Sequence, residues 1–134
     1  MLDTTPLDAA VDHFADRLRA APQSRLQRGA AAQALALARE LARRAQIIEG
    51  VEGGLREMND AGMFAVADQV TVAGRDLAVA LTGAEKAPEE GPGAGPGAGP
   101  EEGSGAGPGK ISATREALAE AVALVEEAQR RAGV

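Results

Sequence analysis

The sequence predicts an all-α protein, a small bundle of three to four helices with a disordered linker before the last helix. Apolar residues recur at spacings of three and four in four segments, which is the period of an amphipathic helix. Aromatic residues are almost absent, because Phe14 and Phe64 are the only ones among 134 residues. A core of Ala, Leu, Val and Met has small side chains, so its helices must approach one another closely to fill it.

Glycine and proline divide the chain into three parts. Residues 83–110 contain ten of the seventeen glycines and five of the seven prolines, and such a segment buries too little apolar surface to offset its ordering entropy. We therefore predict a disordered Gly/Pro/Glu linker at 83–110. It separates an N-terminal helix and a long antiparallel helical hairpin, at 1–82, from a C-terminal amphipathic helix at 111–134 that packs back on the bundle.

The first helix has a clear start in the sequence. Thr5 can act as its N-cap, Pro6 suits the first helical position, and Asp8 places a carboxylate where it favours the helix dipole. Pro22 follows the end of the helix. The apolar face consists of Leu7, Val11, Phe14 and Leu18.

The second helix begins near residues 22–24 and carries the longest apolar stripe. This stripe consists of Leu26, Ala30, Ala34, Leu37, Leu41, Ile48, Val51, Leu55 and Met58. It crosses Gly50, Gly53 and Gly54, and each glycine costs about 1 kcal/mol relative to alanine inside a helix. Because the stripe continues through these glycines, we predict a helix that is continuous to about residue 58. The alternative is a kink or a break near residue 50.

A short turn is predicted between the second and third helices. Residues 59–62 have the composition of a turn, and Asp60 can cap the helix that follows. A short turn implies an antiparallel hairpin, in which Leu41 lies near Ala78. We also expect another helix to approach closely at Gly74, which has no side chain. The apolar face of the third helix consists of Met63, Ala67, Val70, Gly74, Leu77 and Leu81.

The last helix follows the linker, with Ser112 as its cap. Leu118, Val122 and Val125 form a narrow apolar seam on a helix that is otherwise charged. A helix of this length is only marginally stable in water on its own. The seam is therefore predicted to bind a partner surface, either in this chain or in another.

Composition limits the function and the compartment. The formal net charge is -6, which argues against nucleic acid as a partner because phosphate contacts dominate that affinity. The absence of cysteine excludes disulfides, cysteine-ligated zinc and thiol catalysis. The N-terminus is acidic, unlike a signal peptide, and no apolar run is long enough for a membrane span. We therefore expect a cytoplasmic protein without a membrane partner.

The sequence contains no recognisable catalytic or metal-binding pattern. His13 is the only histidine, and its neighbours Asp12 and Asp16 suit an exposed helix surface. No serine has a histidine placed to activate it, and the glycines near residue 50 lack the lysine of a phosphate loop. We therefore predict that the protein is not an enzyme and has no catalytic residues, cofactor-binding residues or metal ligands.

Four arginines are the candidates for contacts with an anion or a partner. Arg39, Arg43 and Arg44 belong to the second helix, and Arg75 interrupts an apolar stretch of the third. Such side chains form an anion site when they converge on one pocket. Otherwise they lie along the helix surface with their charged ends in water or against carboxylates.

The predicted function is a non-catalytic protein-interaction or adaptor module that binds a second copy of itself or another helical protein. This hypothesis depends on the apolar stripes and on the absence of catalytic residues. The alternative is a small-molecule or anion sensor with an arginine-lined site between helices. A DNA-binding regulator is a minor alternative.

Replacing part of the linker tests whether it is structural. We expect that exchanging residues 88–108 for a short Gly/Ser linker leaves the helix content and the melting temperature nearly unchanged, because glycine and proline contribute little to a core. Circular dichroism during thermal unfolding measures both quantities. A large loss of stability would show that the linker belongs to the folded structure.

Overall fold

The computed structural model describes residues 2–50, 55–86 and 99–134, and within them the side chains at 2–50, 55–85 and 113–134. The described chain is helical, as predicted, and these residues include no strand. A kinked helical turn, Leu26–Ala30, joins the short helix Gln23–Arg25 to the long helix that begins at Ala31. The helices are α1 (Thr5–Ala20), α2 (Gln23–Arg25), α3 (Ala31–Glu49), α4 (Val66–Lys86) and α5 (Gly99–Ala132).

Four of these helices surround one core, which confirms the predicted helical bundle. α4 packs against α3 and α1, and α5 packs against the same two helices. Alanine fills many of the remaining core positions, so the helices lie close together, as expected from a composition poor in aromatic residues. The largest fully buried side chains are Phe14, Leu7, Leu18, Leu41, Leu77, Leu81, Val70 and Val125.

The start of α1 differs from the prediction by one residue. Thr5 is the first helical residue rather than the N-cap, and Thr4 occupies the N-cap position. The backbone N–H of Thr5 donates a hydrogen bond to Oδ1 of Asp3 at 3.0 Å. A carboxylate before the helix therefore satisfies the backbone donor of the first helical residue.

α1 and α4 run antiparallel. At one end of the pair, the backbone N–H of Leu2 donates to Oε1 of Glu85 at 2.9 Å. At the other end, Nη2 of Arg19 lies 2.8 Å from Oδ1 of Asp68. The two contacts fix both the direction and the register of the pair.

Gly74 lets α1 approach α4 closely. A Cβ at Gly74 would lie 2.7 Å from Cγ2 and 2.9 Å from Cγ1 of Val11, which is itself buried. Any larger residue would therefore meet the rigid Val11 side chain. The predicted close contact at Gly74 is confirmed, and the helix that makes it is α1.

α3 ends at Glu49, so the prediction of a continuous helix to residue 58 is wrong. Gly50 has a left-handed backbone, with φ 69° and ψ 42°, and its N–H faces the carbonyls of Gln46 and Ile47. This is a glycine C-cap. The backbone also departs from helical geometry at Gly29, where φ is 148°, a conformation that side chains disfavour.

Residues 55–62 run back along α3, and we call them the return segment. Gln46 accepts a hydrogen bond from the N–H of Arg56 at 2.7 Å and donates one to the carbonyl of the same residue at 2.9 Å. Arg39, nearly two turns earlier in α3, donates to the carbonyl of Met58 at 2.8 Å. Side chains of α3 therefore hold the backbone of the return segment against the helix.

The residues predicted as a tight turn form the end of the return segment. Oδ1 of Asp60 accepts a hydrogen bond from the N–H of Gly62 at 2.8 Å. Gln69 donates to the carbonyl of Asn59 at 2.7 Å. Since α4 begins only at Val66, Asp60 is not its N-cap.

α3 and α4 are parallel, which corrects the predicted antiparallel hairpin. The return segment carries the chain to the start of α3, where Ala31 lines a groove together with Met63 and Val66. Because α4 begins beside the start of α3, the two helices run in the same direction. The register that placed Leu41 opposite Ala78 belongs to an antiparallel pair and does not apply.

α5 runs antiparallel to α3. Nη1 of Arg44 lies 2.7 Å from Oε1 of Glu120, and Nη1 of Arg25 donates to the carbonyl of Gly133 at 2.7 Å. The end of α5 therefore lies beside the turn that precedes α3. These polar contacts accompany the burial of the α5 seam in the core.

Both helices that flank the predicted linker extend into it. α4 reaches Lys86, and α5 begins at Gly99, whereas the predicted linker spans 83–110. Extending an existing helix adds one hydrogen bond per residue without a new nucleation step, so helices can continue beyond the residues that pack. The rest of the predicted linker, 87–98, lies outside the described residues.

Replacing Gly74 by alanine tests the close approach of α1 and α4. The added methyl group would press on Val11, and overpacking of this kind costs about 1–3 kcal/mol, against about 1 kcal/mol gained in helix propensity. We therefore expect Gly74→Ala to lower the free energy of unfolding by about 1 kcal/mol. Urea denaturation measures this change.

Gly83 provides the matched control in the same helix. A Cβ at Gly83 meets nothing within 4 Å, so Gly83→Ala should raise the free energy of unfolding by up to about 1 kcal/mol. Equal stabilisation by both substitutions would contradict the contact between Gly74 and Val11.

Candidate functional site

Two of the four predicted arginines share one carboxylate. Nε and Nη2 of Arg43 donate to the two carboxylate oxygens of Glu40 at 3.1 and 2.7 Å. Nε of Arg44 donates to the same Glu40 at 2.7 Å, and its Nη1 reaches Glu120 of α5. Both guanidinium groups are therefore engaged within the bundle, and Arg44 connects α3 to α5.

Glu40 is the centre of this cluster. Its hydrogen bond from Arg43 is the main reason that the pKa of the Glu40 carboxyl falls from 4.5 to about 2. Burial opposes this fall as the second-largest effect, and the hydrogen bond from Arg44 lowers the pKa further. The carboxylate is therefore strongly held in its charged form. Such a charge-assisted pair is a structural contact rather than a free anion-binding site.

Arg39 lines the groove beside Ala31 and Met63, where it is bound to the return segment. Besides its bond to the carbonyl of Met58, Nε of Arg39 lies 3.6 Å from Oε2 of Glu57. Both partners are part of the return segment. The side chain therefore helps to hold the connection between α3 and α4.

Arg75 is the exception among the four arginines. It lies on the α4 wall of a groove of about 700 Å³ between α1 and α4, and Asp8 and Asp12 lie on the α1 wall. Within the part of the chain that the structure describes, Arg75 forms neither an ion pair nor a side-chain hydrogen bond. Its guanidinium group is free to contact another molecule.

The structure does not gather the four arginines into one pocket. Arg43 and Arg44 share Glu40, whereas Arg39 holds the return segment. Arg75 lies on a different helix, in the groove beside α1. An anion at the surface would meet one free arginine and two carboxylates in that groove, which is an unfavourable balance of charge.

The predicted seam of α5 is used within the chain. Leu118 and Val125 are buried, and Val122 is half-buried against the core. These residues therefore attach α5 to the bundle. A surface for a second protein has to lie elsewhere.

The exposed side of α4 carries two apolar residues that do not belong to the core. Val72 is 53% exposed and Val79 is 67% exposed. They are seven residues apart, so they lie almost on one line along the helix. Arg75 and Asp76 are exposed between them, and we call Val72, Arg75, Asp76 and Val79 the outer face of α4.

Other exposed apolar residues lie outside this face. Phe64, just before α4, is 76% exposed, whereas the other aromatic residue, Phe14, is fully buried. Ile47 and Leu55 are about half exposed and lie near the end of α3 and the start of the return segment. Single apolar residues of this kind are common on protein surfaces, whereas the paired valines of α4 form a line.

The outer face of α4 was not predicted, because the apolar stripe of this helix indicates only the side that forms the core. The sequence does contain a signal for it, since Val72 and Val79 repeat with the heptad spacing but do not belong to that stripe. Arg75 was predicted as a contact for an anion or a partner, but without the valines beside it. Its neighbour Asp76 adds the opposite charge to the same face.

No protein-family model matches the chain, and no curated protein or solved structure matches it either. Among the described residues, no group of three or more histidine, cysteine, aspartate or glutamate side chains could hold a metal ion. No helix within the same residues is long and apolar enough to cross a membrane.

Neutralising Glu40 tests the arginine cluster. Because the pKa of Glu40 is lower in the folded protein than in the unfolded chain, its contribution to stability is present above pH 4.5 and disappears as the pH falls to about 2. We expect Glu40→Gln to lower the free energy of unfolding at pH 7 by about 1–2 kcal/mol. The difference from the wild type should shrink between pH 4.5 and pH 2.

Denaturation at several pH values measures this difference. Glu126→Gln is the control, because Glu126 is exposed and forms no ion pair with any described residue. This variant should match the wild type throughout. An equal effect of both substitutions would contradict the role of Glu40 in the cluster.

Proposed function

We propose that this protein is a non-catalytic interaction module that binds a second copy of itself or another helical protein through the outer face of α4. The observation that carries this proposal is the pair of exposed valines, Val72 and Val79, on a helix whose opposite side is buried in the core. A partner helix recognises apolar residues at this spacing along one face. Neither valine contributes to the core of the bundle.

The charges on the same face support a protein partner. Arg75 and Asp76 lie between the valines and form no ion pair with any described residue. Most other arginines of the bundle already contact carboxylates or carbonyls of their own chain. An apolar centre with charged groups at its edge is the usual arrangement of a protein interface.

This function is favoured over the anion sensor because of where the arginines lie. A sensor of that kind requires several free guanidinium groups around one cavity. Arg39, Arg43 and Arg44 are engaged with groups of their own chain. The interaction module instead requires only an exposed surface, and the outer face of α4 is such a surface.

Removing the two valines tests the proposal. We expect the tagged wild-type protein to capture a partner in stoichiometric amount, either an untagged copy of itself or another protein, in lysate of its native host. The double variant Val72→Ser and Val79→Ser should weaken this binding by about 30-fold or more, because a central apolar contact contributes about 2 kcal/mol or more. Serine and valine have similar helix propensities, so the fold should persist.

Ile47→Ser is the matched control. Ile47 is 53% exposed, as Val72 is, but it belongs to α3. The control should bind its partner like the wild type. Equal binding by the double variant and the control would overturn the proposal.

A further inference from the structure

We infer that the outer face of α4 binds the same face of a second copy, with the two α4 helices parallel and in register. This inference rests on the proposed function and names its partner. The contact is isologous, so each residue of the face must suit the residue that a two-fold axis places opposite it. The residues of this face suit each other when the two α4 helices are parallel, but not when they are antiparallel.

The positions of the charged residues decide the orientation. At about 100° per residue, Val72 and Val79 fall within about 20° of each other, and Arg75 and Asp76 fall about 50° to either side of their line. The valines therefore form the centre of the face. The positive charge lies on one flank and the negative charge lies on the other.

A parallel pair brings opposite charges together. A two-fold axis parallel to the helices places the Arg75 flank of one copy against the Asp76 flank of the other, on both sides of the contact. Val72 then faces Val72 of the second copy, and Val79 faces Val79. The two free charges of each copy are matched without any change in the bundle.

An antiparallel pair brings like charges together. A two-fold axis perpendicular to the helices places each flank opposite the same flank of the second copy. Arg75 would then face Arg75, and Asp76 would face Asp76. Like charges at an interface are unfavourable, so the charges of this face disfavour the antiparallel orientation.

The other charged residue on this side of α4, Asp68, is paired with α1. Asp68 lies one turn before Val72, and its carboxylate is 2.8 Å from Arg19. Asp8 and Asp12 of α1 lie in the groove that Arg75 also lines, and Arg75 forms no ion pair with either. Among the described residues of α4, the charges that face the second copy are therefore Arg75 and Asp76.

Crosslinking at a single introduced thiol tests the register. The sequence contains no cysteine, so Val79→Cys provides the only thiol. A short bis-maleimide should link Val79→Cys protein to itself, because a parallel pair places the two positions opposite each other. Ile47→Cys, equally exposed on α3, should not form the crosslinked dimer under the same conditions.

Charge reversal tests the pairing of the flanks. Arg75→Asp or Asp76→Arg alone should weaken self-association about tenfold, because two ion pairs become two repulsive contacts. The double variant Arg75→Asp and Asp76→Arg should restore it, since the opposite charges face each other again. Sedimentation equilibrium over a range of concentrations measures the dissociation constant, and thermal unfolding checks that each variant is folded.

Four outcomes would overturn the inference. A wild-type protein that stays monomeric up to about 1 mM has no such dimer. Crosslinking only in a mixture of Val72→Cys and Val79→Cys proteins would show an antiparallel pair. A dissociation constant that is unchanged by either single charge reversal would show that the contact lies elsewhere. Capture of a different protein through the valines, by a chain that remains monomeric, would overturn this inference and leave the proposed function standing.

Discussion

The left-handed backbone of Gly50 is the constraint on which the topology depends. It ends α3 although the apolar stripe of the sequence continues, and the chain must then leave the helix axis. Because Gln46 and Arg39 bind the return segment, the chain reaches the start of α3 before α4 begins. Parallel helices align their dipoles unfavourably. Each of the two has an antiparallel neighbour that offsets this effect, α1 for α4 and α5 for α3.

The direction of α4 decides which of its faces remains in solvent. α3 covers one flank, and α1 covers the other through the close approach at Gly74. With both flanks occupied and the core side buried, the remaining side carries Val72 and Val79. The same packing that stabilises the bundle therefore leaves two valines and two unpaired charges exposed to solvent.

The sequence was sufficient for the helices and insufficient for their directions. The apolar stripe of α1 was predictable because local periodicity reports burial directly. The end of α3 was not predictable. A glycine costs only about 1 kcal/mol in a helix, and the sequence alone does not show whether the packing energy outweighs that cost. The parallel course of α4 depends on contacts of Arg39 and Gln46 with residues 19 and 10 positions away. The pairing of Arg43 and Arg44 with Glu40 was predictable, because they follow it by three and four residues in a helix.

The candidate site shows why charge matters more for orientation than for affinity here. Two valines on each copy bury far less surface than the about 1,200–2,000 Å² of a standard interface, so an α4–α4 contact is weak. Exposed ion pairs add little affinity to such a contact, but like charges placed opposite each other penalise the wrong orientation. In the proposed dimer, a face with its apolar residues in line and opposite charges on its two flanks would therefore favour one arrangement of the two copies. The arginines of α3 cannot contribute to this selection, because Glu40 and the return segment already hold them.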